Sequence, residues 1–409
     1  MKPQIELFKN VLETYVDSTT PVENSALYSR VARQAGVSDQ DASATTPIGT
    51  ARAPRSTFQR AIRWHQQTLR QQGILERIPG KRGLWQLTDK AKRKLRPAKP
   101  RVTLLGFSTN LGLAVWGNSR DIFRNLQTPV SLCFTSPPYP LNKPRSYGNV
   151  DDREIVTFIC DILAPIIEAM TQEGSLVINV SNDIFVQGTP ARSTYVERLI
   201  LTLEDRFGLA LMDRMIWHNP TKPPGPLQWA SRTRQQLNVA YEPVLWFAKD
   251  PVRCKSNNNR VLEPHSDQHQ RLMAKGGENR RSVYGDGAYR IRPGSYGQPT
   301  AGRIPRNVLK RGHRCAYGDQ YRRLASDLDL PLHGAGMPYS IPEFLIQFLT
   351  EPGDLVVDPC AGRFMTGLAA ENTGRSWMCG ELMLEYLRGG AELFRSAAGF
   401  RLNPDIESI

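Results

Sequence analysis

Short apolar runs alternate with amphipathic segments through most of the chain after residue 102. The apolar run at 130–134 has the length of a buried strand, segments 175–180 and 209–217 are also predicted as strands, and segment 194–207 repeats its apolar residues at helical spacing. Strands and helices that alternate at these lengths predict a doubly wound α/β sheet. Such a fold restricts where a ligand can bind, because open α/β sheets bind ligands at the carboxyl ends of their strands.

The strand predicted over 130–134 runs into the pentapeptide Thr135-Ser136-Pro137-Pro138-Tyr139. Neither proline has an N–H to donate, so the ladder of strand hydrogen bonds must stop here. The stop leaves free carbonyl groups next to a small hydroxyl side chain, Ser136, and an aromatic ring, Tyr139. This pentapeptide therefore predicts a hydrogen-bond acceptor cluster beside a stacking surface, although a plain turn that closes a strand stays open.

A second motif, Asp358-Pro359-Cys360-Ala361-Gly362, follows a short apolar run, and Glu381 ends the next predicted strand. A glycine turn lets backbone amides approach a ligand, and the helix that follows adds its positive N-terminal end. An acid about 20 residues further on is placed to bind two ribose hydroxyls. The pattern lacks the Gly-x-Gly-x-x-Gly of dinucleotide sites, so it indicates a cofactor with a single adenosine. An ordinary strand–turn–helix is the alternative.

The net charge of +14 is concentrated in two blocks. Residues 1–100 carry 18 Lys/Arg against 8 Asp/Glu, and residues 251–330 carry 16 against 7, so the remainder has a net charge of −5. Two basic blocks around a mildly acidic body indicate two surfaces that bind a polyanion. They favour nucleic-acid binding over a charge that serves only to keep the protein in solution.

The first basic block has the order of elements of a small DNA-binding domain. Helices are predicted over 4–16, 24–35 and 56–72, with a loop over 37–54, and a β-hairpin with a basic turn follows over 74–88. This order resembles a winged helix, whose third helix enters the major groove and whose hairpin tip touches phosphate. A helical dimerisation module is the alternative. The candidate DNA contacts are Arg60, Arg63, Lys81 and Arg82.

The second basic block interrupts the α/β alternation and mixes arginines with tyrosines. This mixture suits phosphate and base contacts, with a disordered insert as the alternative. Its candidate DNA contacts are Arg280, Arg281, Arg290, Arg303 and Arg306. The expected organisation is an N-terminal domain over 1–96, a linker over 97–109, a catalytic half over 110–250, an insert over 251–332 and a cofactor half over 333–409.

Several classes of protein do not fit this sequence. No run of about 18 apolar residues exists, so no membrane span is expected. The six cysteines contain no Cys-x-x-Cys pair, which indicates reduced thiols in a cytosolic protein. His265, His269, His313 and Cys315 match no standard zinc spacing, so no metal is expected.

Taken together, Thr-Ser-Pro-Pro-Tyr at 135–139, Asp-Pro-Cys-Ala-Gly at 358–362 and Glu381 resemble the DNA amino-methyltransferases. The catalytic motif precedes the cofactor motif, as in the permuted β group of that family. The resemblance covers about 110 to 390, so the winged-helix-like domain lies outside it. It departs at the cofactor turn, where the family's Gly-Ser-Gly-Thr is replaced by residues 362–366, and Phe364 is expected to cover the methionine end of the site.

The resemblance implies a Rossmann-like methyltransferase sheet, S-adenosylmethionine as cofactor and double-stranded DNA as substrate. The target base would leave the duplex and stack on Tyr139, while Ser136 and the carbonyl of Pro137 accept its amino hydrogens, with Pro138 completing the motif. The implied cofactor residues are Thr135, Pro338, Asp358, Pro359, Cys360, Ala361, Gly362 and Glu381. A homodimer, a cytoplasmic, nucleoid-associated location and a separate restriction endonuclease are further expectations.

The target base is the least constrained expectation. Serine before Pro-Pro-Tyr occurs mostly in N4-cytosine enzymes of the family, whereas aspartate is commoner in N6-adenine enzymes, and either residue can accept a hydrogen bond. N4 of cytosine is therefore favoured, with N6 of adenine as the alternative. The altered turn at Arg363 and Phe364 leaves open a DNA-binding regulator with an inactive methyltransferase core, and an RNA substrate also stays open.

Overall fold

The chain divides into two compact units, Met1–Lys94 and Leu95–Ile409. The computed structural model describes residues 7, 10–11, 14–15, 18, 20–48, 53–71, 75–88, 95–138, 154–186, 188–285, 287, 289–334 and 336–408. Over these residues, none of the helices combines the length and the apolar character that crossing a membrane requires.

The first unit contains the helices predicted over 24–35 and 56–72 and the basic hairpin, whereas most of the helix predicted over 4–16 lies outside the described residues. Its elements are β1 (Val22–Glu23), α1 (Asn24–Gln34), α2 (Asp39–Ser43), β2 (Thr45–Ile48), β3 (Ala53–Ser56), α3 (Thr57–Gln71), β4 (Leu75–Arg77) and β5 (Leu84–Leu87). β4 and β5 form the antiparallel hairpin, and β1 pairs with the other side of β5. The loop predicted over 37–54 is wrong, because this segment holds α2 and the paired strands β2 and β3. Ser38 caps α2 by accepting the Asp41 N–H, a local bond that composition does not reveal.

The second unit is built on one large mixed sheet. Its strands are β6 (Leu104–Ser108), β7 (Gly112–Trp116), β8 (Val130–Thr135), β9 (Met170–Asn179), β10 (Ala210–His218), β11 (Tyr241–Ala248), β12 (Ser282–Tyr284), β13 (Tyr289–Ile291), β14 (Val308–Lys310), β15 (Leu355–Asp358), β16 (Ser376–Glu381) and β17 (Arg401–Leu402). Ten of them form a sheet in the order β14-β10-β11-β9-β8-β15-β16-β7-β6-β17, and β12 pairs with β13 as a separate ribbon. All of the ten except β6 and β11 run in the same direction, so their carboxyl ends lie at one edge.

Helices cover both faces of this sheet, which confirms the predicted α/β fold. They are α4 (Ser119–Phe123), α5 (Ile155–Ala169), α6 (Tyr195–Phe207), α7 (Asp267–Ala274), α8 (Ala316–Asp327), α9 (Ser340–Leu349), α10 (Met365–Asn372), α11 (Leu384–Ala391) and α12 (Pro404–Ser408). Successive strand side chains point to opposite faces. Accordingly, Cys133 of β8 packs in the core with α5 and α6, whereas Leu132 and Phe134 pack in the core with α9, α10 and α11.

Residues 97–109, expected to form a linker, belong to the second unit. β6 lies within this stretch and pairs with β7 and β17. The Ala98 N–H donates to the Leu382 carbonyl at 2.9 Å. The sequence pattern missed β6 because Gly106 interrupts its apolar run. A Cβ at that position would lie 2.5 Å from the Leu387 side chain, so α11 packs directly on the strand backbone.

The insert expected over 251–332 is only partly separate from the core. The β12–β13 ribbon is not part of the large sheet, and α7 lies between β11 and this ribbon along the chain. In contrast, β14 belongs to the large sheet, because it pairs with β10 at the sheet edge. α8 places Tyr321, which is fully buried, in the same core as Phe364. The end of the basic block therefore contributes to the core, because a few apolar residues among its arginines face the sheet.

Candidate active site

A cleft of about 790 Å³ lies at the sheet edge that carries the strand carboxyl ends. Most of the predicted site residues line it: Ser136, Pro137, Pro138, Asp358, Pro359, Cys360, Ala361, Gly362 and Glu381. Thr135 is buried at the end of β8, and Pro338 follows Met337, which lines the cleft. Tyr139 lies outside the residues that the structure describes. The two motifs meet because β8 and β15 are neighbours in the sheet.

The Ser136 hydroxyl donates a hydrogen bond to Oδ1 of Asn179 at 3.4 Å. Asn179 ends β9, is buried, and donates from Nδ2 to the Pro243 carbonyl at 3.2 Å. A carbonyl can only accept, so Nδ2 must face Pro243 and Oδ1 must face Ser136. The hydroxyl hydrogen of Ser136 is therefore held by Asn179, and the lone pairs of its oxygen remain free to accept.

Asp358 ends β15 and organises the turn that follows it. Its Oδ1 accepts the Cys360 N–H at 3.0 Å, and its Oδ2 accepts the Thr366 hydroxyl at 2.7 Å. Burial raises the pKa of Asp358 to about 6, although these hydrogen bonds favour the charged form. The Asp358 carboxyl group therefore links the start of the turn, at Cys360, to the first turn of α10, at Thr366.

Glu381 is the second buried carboxyl group of the cleft. Its Oε2 accepts the Gly362 N–H at 2.8 Å, and its Oε1 accepts the Met383 N–H at 2.8 Å. Burial raises the pKa of Glu381 to about 7, while the backbone N–H bonds oppose this rise. Each oxygen retains a further lone pair, so the carboxylate can still accept two ligand hydroxyls.

The turn between β15 and α10 contains two left-handed residues, Gly362 at φ +53° and Phe364 at φ +62°. Phe364 thus stands in a backbone conformation that favours glycine, at a cost of about 1–2 kcal/mol. Its ring is fully buried, with its centroid 5.5 Å from that of Phe107. The expectation that Phe364 covers the methionine end is wrong, because the left-handed backbone turns the ring into the core. Arg363 and Met365 line the cleft instead.

Sequence reasoning missed several polar residues of the cleft. These are Asn179, Asp183, Lys222, Glu242 and His333, and the cleft is also lined by His313 and Arg363, for which no binding role was predicted. Asn179 lies at the end of the strand predicted over 175–180 and Asp183 follows that strand, and these positions could have indicated them. Lys222, which follows the end of β10, pairs with Glu242 of β11 at 3.1 Å, a partnership that the spacing does not reveal. Within the described ranges, no three His, Cys, Asp or Glu side chains come together as a metal-binding group.

None of the predicted DNA contacts lines the cleft, and all of them are solvent-exposed. Arg60 and Arg63 lie on α3, and Lys81 and Arg82 lie in the β4–β5 turn of the first unit. In the second unit, Arg290 lies on β13, and Arg280 and Arg281 directly precede β12. Arg306 is exposed, whereas Arg303 pairs with Glu263 at 2.6 Å and Arg280 pairs with Glu278 at 3.0 Å.

Comparison with known proteins gives matches for both units. Residues 130–392 match the DNA methylase family, and residues 5–97 match the Mrr N-terminal domain. The chain is 31% identical over 295 residues to the type II methyltransferase M.PvuII of Proteus hauseri, covering 70% of this chain and 85% of that protein. It is 23% identical over 265 residues to the DNA adenine methyltransferase YhdJ of Escherichia coli (strain K12), covering 64% and 74%. The solved structure of PvuII DNA methyltransferase (cytosine-N4-specific) aligns with a TM-score of 0.56 at 28% identity, covering 73% of this chain and 90% of that chain.

Proposed function

The chain belongs to the DNA methylase family, and from this premise we propose that it methylates N4 of cytosine in double-stranded DNA. The observation that carries the chemistry is the Ser136 oxygen, whose hydrogen is held by Asn179 so that its lone pairs are free. The choice of cytosine is supported by the serine before Pro-Pro-Tyr and by the similarity to the cytosine-N4-specific PvuII enzyme.

The cleft residues fit S-adenosylmethionine, the cofactor of this enzyme class. The volume of about 790 Å³ lies in the range of small-molecule sites. Glu381 would accept the ribose hydroxyls, and Gly362 allows close approach, because it adopts a left-handed φ of +53° and has no Cβ to crowd the His333 ring. Asp358 holds the turn in shape through Cys360 and Thr366. When bound, the cofactor supplies an electrophilic methyl group on a sulfonium.

Ser136 and the carbonyl of Pro137 would accept the two hydrogens of the target amino group. Two acceptors draw the amino nitrogen away from conjugation with the ring and free its lone pair for in-line attack on the methyl carbon. As the nitrogen–carbon bond forms, the methyl–sulfur bond would break to leave a neutral thioether, and the amino nitrogen would release one proton to water. The base must leave the duplex to reach this cleft, since its amino group is otherwise engaged in pairing. The side chains position and polarise the nucleophile, and no covalent enzyme intermediate is required.

Transfer of a tritiated methyl group from the cofactor to DNA tests this proposal. Ser136→Ala should lower the rate about a hundredfold, as expected for the loss of one preorganised hydrogen-bonding group, while cofactor affinity is unchanged. Thr202→Ala removes a hydroxyl from α6, where it only donates to the Arg198 carbonyl, and should retain full activity. Equal rates for the wild type and Ser136→Ala would contradict the role of Ser136.

We further propose that the basic residues outside the cleft hold the DNA. Arg60, Arg63 and the Lys81–Arg82 turn would bind flanking DNA, supported by their positive charge and their exposure. Arg280, Arg281, Arg290, Arg303 and Arg306 would contact the duplex around the target. A homodimer, a separate restriction endonuclease and a cytoplasmic, nucleoid-associated location complete the proposal. Light scattering of the purified protein tests the dimer, and a monomer mass would contradict it.

A further inference from the structure

Arg363 is a buried cation in the cofactor turn. It follows Gly362, lines the cleft and is only 8% exposed. The cleft has two other cationic side chains, and each has a carboxylate partner: Arg120 pairs with Asp161 at 3.1 Å, and Lys222 pairs with Glu242 at 3.1 Å. Arg363 forms no ion pair with any residue that the structure describes.

The partners that Arg363 does have are neutral. Its Nε and Nη2 donate to the His333 carbonyl at 3.2 and 2.6 Å, and the guanidinium carbon lies 5.5 Å from the centre of the Tyr321 ring. A Cβ on Gly336 would lie 2.3 Å from Nη1, so the chain at Gly336 passes directly against the guanidinium. Within the described residues, Nη1 donates to no hydrogen-bond acceptor. Burial of a cation without an anion is costly, so this arrangement indicates an anionic ligand group.

S-adenosylmethionine contains a sulfonium, an ammonium group and one carboxylate. The buried acids of the cleft, Asp358 and Glu381, are suited to hydroxyl donors and positive groups. The carboxylate of the ligand is best bound by a positively charged hydrogen-bond donor, and guanidinium–carboxylate pairs form strong, directional hydrogen bonds. We propose that Arg363 binds the carboxylate of the cofactor's methionine moiety. This inference rests on the proposed function.

This assignment changes the interpretation of the altered turn. Where the family has an uncharged serine after the first glycine, this chain has Arg363, and the departure alone suggested a weakened cofactor site. With Arg363 as a carboxylate ligand, the turn gains a charged contact that the serine could not supply.

Discrimination between two ligands tests the proposal in the unmodified protein. Decarboxylated S-adenosylmethionine retains the adenosine, the sulfonium and the amino group but lacks the carboxylate. Isothermal titration calorimetry should give the wild type at least about tenfold higher affinity for S-adenosylmethionine, as expected for a hydrogen-bonded charge. Equal affinities would overturn the inference and leave the proposed function intact. Absence of binding by both ligands would overturn the proposed function and the inference with it.

Two variants locate the discrimination at Arg363. Arg363→Gln should weaken S-adenosylmethionine about tenfold and change the affinity for the decarboxylated ligand less than about twofold. Arg322→Gln is the matched control, because Arg322 pairs with Asp319 on α8 and does not line the cleft. It should bind both ligands as the wild type does. Equal losses for both ligands in Arg363→Gln would overturn the inference and restrict Arg363 to holding the His333 carbonyl. If Arg363→Gln does not fold, the wild-type comparison still decides.

Discussion

Replacement of Asn179 by leucine should slow methyl transfer about tenfold. The Ser136–Asn179 hydrogen bond is neutral and long, 3.4 Å, so its loss corresponds to about 0.5–1.5 kcal/mol. About 1.4 kcal/mol is a tenfold change in rate. Without Asn179 the Ser136 hydroxyl can rotate so that its hydrogen points at the amino group of the substrate. In that orientation the Ser136 oxygen no longer accepts a hydrogen bond from the amino group.

The same replacement should leave the fold almost unchanged. Leucine has the same branched arrangement of side-chain heavy atoms as asparagine, and the site is buried. The Pro243 carbonyl loses the Asn179 Nδ2 donor but retains the Val180 N–H at 3.0 Å, so no buried carbonyl is left without a partner. The expected loss of unfolding free energy is about 1 kcal/mol. Single-turnover rates at saturating DNA and cofactor, together with calorimetric cofactor affinities, measure the two effects separately.

A double-mutant cycle shows whether Asn179 acts through Ser136. Ser136→Ala removes the hydroxyl that Asn179 holds, so addition of Asn179→Leu to Ser136→Ala should cause no further loss of rate. If Asn179→Leu slows the Ser136→Ala enzyme by the same tenfold factor, Asn179 acts independently and the positioning argument is refuted. An unchanged rate for the single variant Asn179→Leu would also refute it.

Three other predictions concern stability and DNA binding. Phe364→Gly should be more stable than Phe364→Ala in urea unfolding. Both variants lose the buried ring, but only glycine relieves about 1–2 kcal/mol of strain from the left-handed backbone. A higher stability of Phe364→Ala would show that the backbone at this position is not strained. Burial raises the pKa of Glu381 from 4.5 to about 7. The favourable contribution of Glu381 to the free energy of unfolding is therefore present below pH 4.5 and is lost as pH rises through 7. The fall in unfolding free energy from pH 5 to pH 8 should be smaller in Glu381→Gln, and an equal fall would exclude Glu381 as its source. Replacement of Lys81 and Arg82 by glutamine should weaken DNA binding for all sequences and reduce the salt slope by about one per lost phosphate contact, whereas an unchanged slope would exclude these contacts.

The sequence was sufficient for the sheet centre because β8 and the second half of β9 are short, predominantly apolar and buried runs. It was insufficient where glycine replaces a side chain at a close approach. Gly106 in β6 shows the reason, since a Cβ there would lie 2.5 Å from the Leu387 side chain. Such a glycine interrupts the apolar pattern of the strand in the sequence, whereas in the fold it allows Leu387 to pack against the strand backbone.

The two cofactor and catalytic motifs could be found from local pattern, but their supporting residues could not. Asn179 lies 43 residues from Ser136, and His333 lies 30 residues from Arg363, so only the folded chain joins each pair. The position of Phe364 also required the backbone angle, because the residue type alone does not show which way its ring turns. Motifs thus indicate the chemistry, while charge compensation and orientation depend on tertiary contacts.

The most direct test of the central claim is the identity of the methylated nucleoside. Genomic DNA of mixed sequence is incubated with the enzyme and S-adenosylmethionine labelled in its methyl group, then digested to nucleosides and analysed by mass spectrometry. The account predicts labelled N4-methylcytosine from the wild type and about a hundredfold less from Ser136→Ala. Labelled N6-methyladenine in its place would contradict the assignment of cytosine, and no labelled nucleoside from a protein that binds the cofactor would contradict methyl transfer to DNA.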